Sequence, residues 1–182
     1  MNVVITLSLI GAVLFALAGV GVGMITPERI PLANRFVRNR NIGVVAGAVA
    51  LIFAAPQLVA ISWDWVASSI WYMIAGILVL FYFFGDFVNA RAMAGLLMVG
   101  AYYFINHAFV QDITALPIMA FFTLAWAVIG LMVAAWPHVL RDFLRRCAEK
   151  CPLRYSAIGV LWATAFAYAV CGILAVVGHG NI

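Results

Sequence analysis

Along the chain, long runs almost free of charge alternate with short segments that hold nearly every ionisable residue. Six apolar runs, 3–25, 42–61, 66–85, 91–110, 116–136 and 155–177, stand out, and each has about the 20 residues a helix needs to cross a hydrocarbon core of roughly 30 Å. Lipid offers no water to backbone amides, so each run must satisfy its own hydrogen bonds as a helix. The pattern predicts an all-α, polytopic membrane protein. It comprises six transmembrane helices arranged as three hairpins with short loops, forming a single domain over 1–182.

The segments between the runs carry their own patterns. Pro27 and Pro31 end the first run, because proline lacks a backbone donor and disfavours helical geometry in the residue before it. From Pro137 onward Leu140, Phe143, Leu144, Cys147 and Cys151 recur at helical spacing, while Arg141, Arg145 and Arg146 take another face. That is the signature of an amphipathic helix lying on the headgroup layer between the fifth and sixth spans. Its cations Arg141, Arg145, Arg146 and Lys150 are candidates to meet lipid headgroups. Trp63, Trp65 and Trp71 bracket the turn between the second and third runs and read as an aromatic belt at the lipid–water boundary.

Composition excludes a water-solvated fold. The chain is 68% hydrophobic and 9% charged, with a mean hydropathy of +1.15, whereas soluble domains carry about 25% charged residues. The net charge of +4 points to topology rather than to nucleic acid. All ten basic residues fall in three turns: Arg29, Arg35, Arg38 and Arg40; Arg91; and Arg141, Arg145, Arg146, Lys150 and Arg154. Short loops rich in Lys and Arg stay in the cytoplasm, which puts both termini outside; the other side holds the acids Asp64 and Asp112. The expected location is a cell membrane, the bacterial inner membrane. The first run has no positive residue before it and reads as a retained anchor rather than a cleaved signal peptide. Cys147, Cys151 and Cys171 are too few and too unevenly spaced for a disulfide framework and read as free thiols.

Catalytic signatures are absent from the sequence. There is no phosphate-cradling glycine loop, no His-Glu-x-x-His zinc helix and no nucleophile elbow, so enzymatic function has little support and neither cofactor nor metal is implied. His107 lies toward one end of its run and His138 toward the opposite side of the membrane, so the two cannot share a haem iron. Asp86, at the end of the third run, reads as a local cap or partner for Arg91.

Two sets of residues remain. Gly19 with Gly23, and Gly43 with Gly47, are pairs four apart that let helix backbones approach where lipid provides no hydrophobic drive. Tyr102, Tyr103, Asn106 and His107 on the fourth run form two pairs one helical turn apart. Gln57, beside Pro56, and Tyr168 lie at related depths, as do Ser8, Tyr72 and Cys171. These polar side chains form a candidate ligand pocket open to the outside; an ordinary interfacial layer is the other reading. The expectation for function is a non-catalytic integral membrane subunit or scaffold packing on partner helices. Partners are membrane lipids and either other membrane subunits or copies of itself. A small transporter or channel for a neutral or weakly polar solute is the alternative, and a quinone-handling redox protein the second alternative.

Overall fold

The apolar runs become helices, and the charged or proline-bearing segments become the breaks between them. A computed structural model of the chain describes residues 3–110 and 116–179; Asp112 lies outside the described residues. The helices are α1 (Val3–Gly23), α2 (Ile30–Val37), α3 (Arg40–Ile61), α4 (Asp64–Phe84), α5 (Val88–Val110), α6 (Leu116–Ala135), α7 (Pro137–Glu149) and α8 (Cys151–His179), with a short 3-10 turn at Pro27–Arg29. Among the described residues there is no strand.

Local chemistry explains the boundaries. Asn39 caps α3 by accepting a hydrogen bond from the Ile42 amide at 3.2 Å, satisfying one of the orphan donors at a helix start. The chain passes through Pro56 without leaving α3. Phe87, just before α5, has a φ of 56°, an unusual left-handed conformation for a bulky residue. Its ring sits under the Arg38 guanidinium at 5.7 Å, a cation–π contact that helps hold the turn.

Five helices, α1, α3, α4, α5 and α8, are each long and apolar enough to cross a membrane. A sixth span is reached when α6 is taken together with α7, and these two helices meet at a bend of 108°. That bend separates the apolar α6 from the amphipathic α7, so the change in hydrophobic pattern at Trp136-Pro137 coincides with a change in direction. Large apolar side chains such as Leu17, Phe53, Phe83, Phe121 and Phe166 are exposed along the helices, which lipid, not water, can solvate. The described residues are all-helical in their regular structure, and five or six helices are long and apolar enough to cross a membrane.

Helix pairing includes both sequence neighbours and helices far apart in the chain. Among the closely packed pairs are α3 with α4, which are consecutive, and α1 with α8, the first and last helices. The chain divides into two compact units. Unit 1 contains residues 1–30, 100–126 and 142–182; unit 2 contains 31–99 and 127–141.

Candidate functional site

The interior of unit 1 is built from hydroxyl groups and aromatic rings. On α8, Thr164, Tyr168 and Cys171 follow one another at helical spacing and are buried, so they share one face. Tyr168, 6% exposed, shares a hydrogen bond of 2.9 Å between its hydroxyl and that of Thr123 on α6. The Thr123 hydroxyl also reaches back to the Met119 carbonyl at 2.7 Å. One turn along, the Trp126 indole N–H donates to the Thr164 hydroxyl at 3.2 Å, and Thr164 donates to the Val160 carbonyl. Phe15 of α1 stacks on Tyr168 at 5.6 Å and tilts against Trp126 at 4.8 Å; Phe104 of α5 meets Tyr168 edge-on at 5.1 Å. The ring of Tyr168 fits because Gly11 opposes it: a Cβ there would lie 3.0 Å from the ring.

These bonds fasten α6 to α8, with α1 and α5 contributing the rings. Each such bond in lipid is worth about 0.6 kcal/mol, with a maximum near 1.7. One polar group in this interior is left over. Ser8 is fully buried beside the Cys171 thiol, and its hydroxyl finds no oxygen or nitrogen partner among the described residues. At the end of unit 1 where α1 finishes, Arg154 donates to the Ile25 carbonyl at 3.1 Å, a cation on the orphan carbonyls that follow a helix.

Unit 2 is held by close approach of backbones instead. At Gly43 on α3 a Cβ would come within 2.5 Å of the Asn89 amide nitrogen, so only glycine admits the start of α5 there. Asn89, 1% exposed, ties that start to the end of α2 by donating its side-chain amide to the Phe36 carbonyl at 2.8 Å. Its side-chain oxygen is buried without a partner. Ala55, Ile70 and Ile74, with Leu51 and Leu78 beside them, form the apolar seam between α3 and α4. Toward Gly43 that seam opens into a cleft of about 140 Å³, lined by Gly43, Gly47, Gly95, Leu78, Phe81 and Arg91, among others, and almost wholly apolar. Arg91 lines this cleft and is half-buried; its Nε is buried without a hydrogen-bond partner.

The residues singled out from sequence fall as follows. Tyr103 and His107 stack at 6.2 Å, and Tyr102 meets Tyr103 edge-on at 5.6 Å. Tyr102, 49% exposed, and Asn106 lie on the open side of α5, while Ala101, Phe104 and Ala108 form its buried side. Tyr168 is engaged with Thr123, Phe15 and Phe104, not with the Tyr102–His107 group. Gln57 is half-buried and belongs to unit 2. Gly19 faces Trp162 and Gly23 faces Ile158, both on α8; Gly47 faces Ala92 and Leu78 at ordinary contact distance. Arg141, Arg145 and Arg146 on α7 and Lys150 just after it are all exposed, and Arg145 pairs with Glu149 at 2.8 Å. Asp86 is exposed and forms no ion pair among the described residues.

The thiols differ in setting. Cys147 is buried and Cys151 exposed. Burial pushes the Cys147 thiol pKa up, and the nearby Arg154 offsets only part of that, so the burial outweighs the basic surroundings. Among the described residues no group of three His, Cys, Asp or Glu is placed to hold a metal ion. Sequence reading did not find the Thr123–Tyr168 and Trp126–Thr164 pairs or the uncompensated Arg91. The four-residue step from Thr164 to Tyr168 was the available signal, but their partners on α6 are far away in the chain.

Comparison with protein-family models, with characterised proteins and with solved structures yields no match.

Proposed function

We propose that the chain is a non-catalytic integral membrane subunit whose outer helix faces pack against other transmembrane helices. One observation carries this reading: some of its glycines are closed over by the chain's own atoms, and others lie open. Gly19, Gly43 and Gly130 are filled by the chain's own atoms, and a Cβ at any of them would lie within 3.0 Å of a neighbour. Gly21 on α1, Gly76 on α4, Gly100 on α5 and Gly159 on α8 meet nothing within 4 Å. A glycine lowers helix propensity by about 1 kcal/mol relative to alanine. In a membrane helix its use is to let another backbone come close, and for these four that backbone belongs to another chain. The polar groups of unit 1 support the same reading, because Thr123, Tyr168, Trp126 and Thr164 are spent on fastening helices to each other.

The other chain is a different membrane subunit or a second copy. The membrane is a cell membrane of the bacterial inner-membrane type. The basic turns stay in the cytoplasm and both termini lie outside, supported by the location of all ten cations in three turns and by the positive-inside rule. Extraction in mild detergent followed by native mass spectrometry tests the assignment. The expected result is a stoichiometric complex heavier than the 19.7 kDa chain. A lone chain whose melting temperature rises with a small polar solute overturns it and favours transport instead. The Tyr103–His107 stack and the buried Ser8 hydroxyl are the observations on which that second reading stands.

A further inference from the structure

We infer that the cleft at the start of α5 binds one anionic phospholipid, its phosphate paired with Arg91 and one acyl chain lying along the glycines of α3 and α5. This goes beyond the assembly role, since it concerns the glycine-lined cleft of unit 2 and not the open glycines.

Three features converge there. The first is an uncompensated cation. Arg91 is half-buried and lines the cleft, its Nε is buried with no partner, and a partly desolvated guanidinium calls for an acceptor, preferably an anionic one. The second is its level. Arg91 is the fourth residue of the 23-residue α5, so at 1.5 Å per residue it lies roughly 5 Å from the helix start, near the headgroup layer. The positive end of the helix dipole favours an anion there as well. The third is the rest of the lining. Gly43, Gly47, Gly95, Leu78 and Phe81 offer no further polar group to a ligand, so a free phosphate would surrender its hydration against hydrocarbon. A phosphate that carries an acyl chain matches both the cation and the apolar floor. The nearest acid in the sequence, Asp86, is exposed and does not supply the counter-charge.

Native mass spectrometry of the protein released from nanodiscs of equal parts phosphatidylglycerol and phosphatidylcholine provides the test. The α7 cations hold phosphatidylglycerol too, so the readout is the lipid lost in two variants that leave α7 intact. Arg91→Gln removes the charge. Gly47→Leu fills the floor at a position where a Cβ already fits, 3.7 Å from Ala92. The expected result is one phosphatidylglycerol fewer per chain in each variant, and a preference over phosphatidylcholine reduced roughly fivefold by Arg91→Gln. Arg91→Lys retains part of that preference. If Arg91→Gln fails to fold, Gly47→Leu carries the test alone, with the helical circular dichroism signal as its control. Equal lipid counts in wild type and Gly47→Leu overturn the inference. So does displacement of the lipid by millimolar inorganic phosphate, which would make this a plain anion site. A partner protein lost on Arg91→Gln, with lipid counts unchanged, also overturns it.

Discussion

Units 1 and 2 solve the same problem, holding helices together in a solvent as oily as their own side chains, by different means. Unit 1 uses side chains: hydroxyl pairs and stacked rings join α6 to α8 and enclose Phe15 of α1. Unit 2 uses the absence of side chains: Gly43 lets the start of α5 come within a distance that no other residue allows. The first solution spends its polar groups almost completely. The second brings backbones together and leaves Arg91 unsatisfied beside an apolar cleft. A polar fastener is directional and worth roughly 1 kcal/mol, whereas a glycine contact is an all-or-none steric condition. The two units should therefore respond very differently to small substitutions.

The largest effect is expected in unit 2. Gly43→Ala places a methyl group against the Asn89 backbone, which cannot rotate away, and should cost about 3 kcal/mol, at the upper end for overpacking. Gly47→Ala, where the added atom meets neighbours at ordinary contact distance, should fall within about 0.5 kcal/mol of wild type. Thermal or denaturant unfolding in detergent, followed by circular dichroism, measures both. Equal effects at the two positions would remove the steric account of unit 2.

In unit 1 the expected losses are smaller and coupled. Tyr168→Phe and Thr123→Val each delete one end of the same hydrogen bond, so each should cost about 0.6 to 1.7 kcal/mol. The double variant should cost less than the sum of the two, because the bond can be lost only once. Additive losses would mean that the 2.9 Å contact contributes nothing of its own.

The helical architecture was legible in the sequence because its cause is local. Twenty apolar residues in lipid have few alternatives to a helix, and the amphipathic spacing of Leu140, Leu144 and Cys147 marks α7. The span boundaries shifted where a polar side chain reached into the helix: Asn39 starts α3 before Ile42, and α8 begins at Cys151, taking in Arg154. The pairing of α1 with α8 was not legible, since no pattern in either helix encodes its distant neighbour. The candidate pocket illustrates the same boundary. Depth along a helix follows from counting residues, and by depth alone Tyr168 falls with the Tyr102–His107 group. Direction around the helix depends on what each face packs against, and Tyr168 turns to Thr123 while Tyr102 and Asn106 lie on the open side of α5.

The smallest effect concerns pH and lies on the amphipathic α7. Burial raises the Cys147 thiol pKa, so the folded state holds that proton longer than the unfolded chain does. The sign follows: the contribution is complete below the unfolded thiol value of about 8.5 and is lost as pH rises through the higher folded value. Alkylation of Cys147 in a chain with Cys151 and Cys171 replaced by serine should therefore keep accelerating at pH values where an exposed thiol has levelled off. A profile that levels near 8.5 would contradict the burial.

The contrast between filled and open glycines is where assembly with other helices is most directly tested. Leucine placed at Gly76 and Gly100 together, in chains extracted in mild detergent and weighed as native complexes, should abolish the heavier assembly and leave the unfolding midpoint of the single chain unchanged. An assembly of unchanged mass and stoichiometry carrying both leucines would contradict the account.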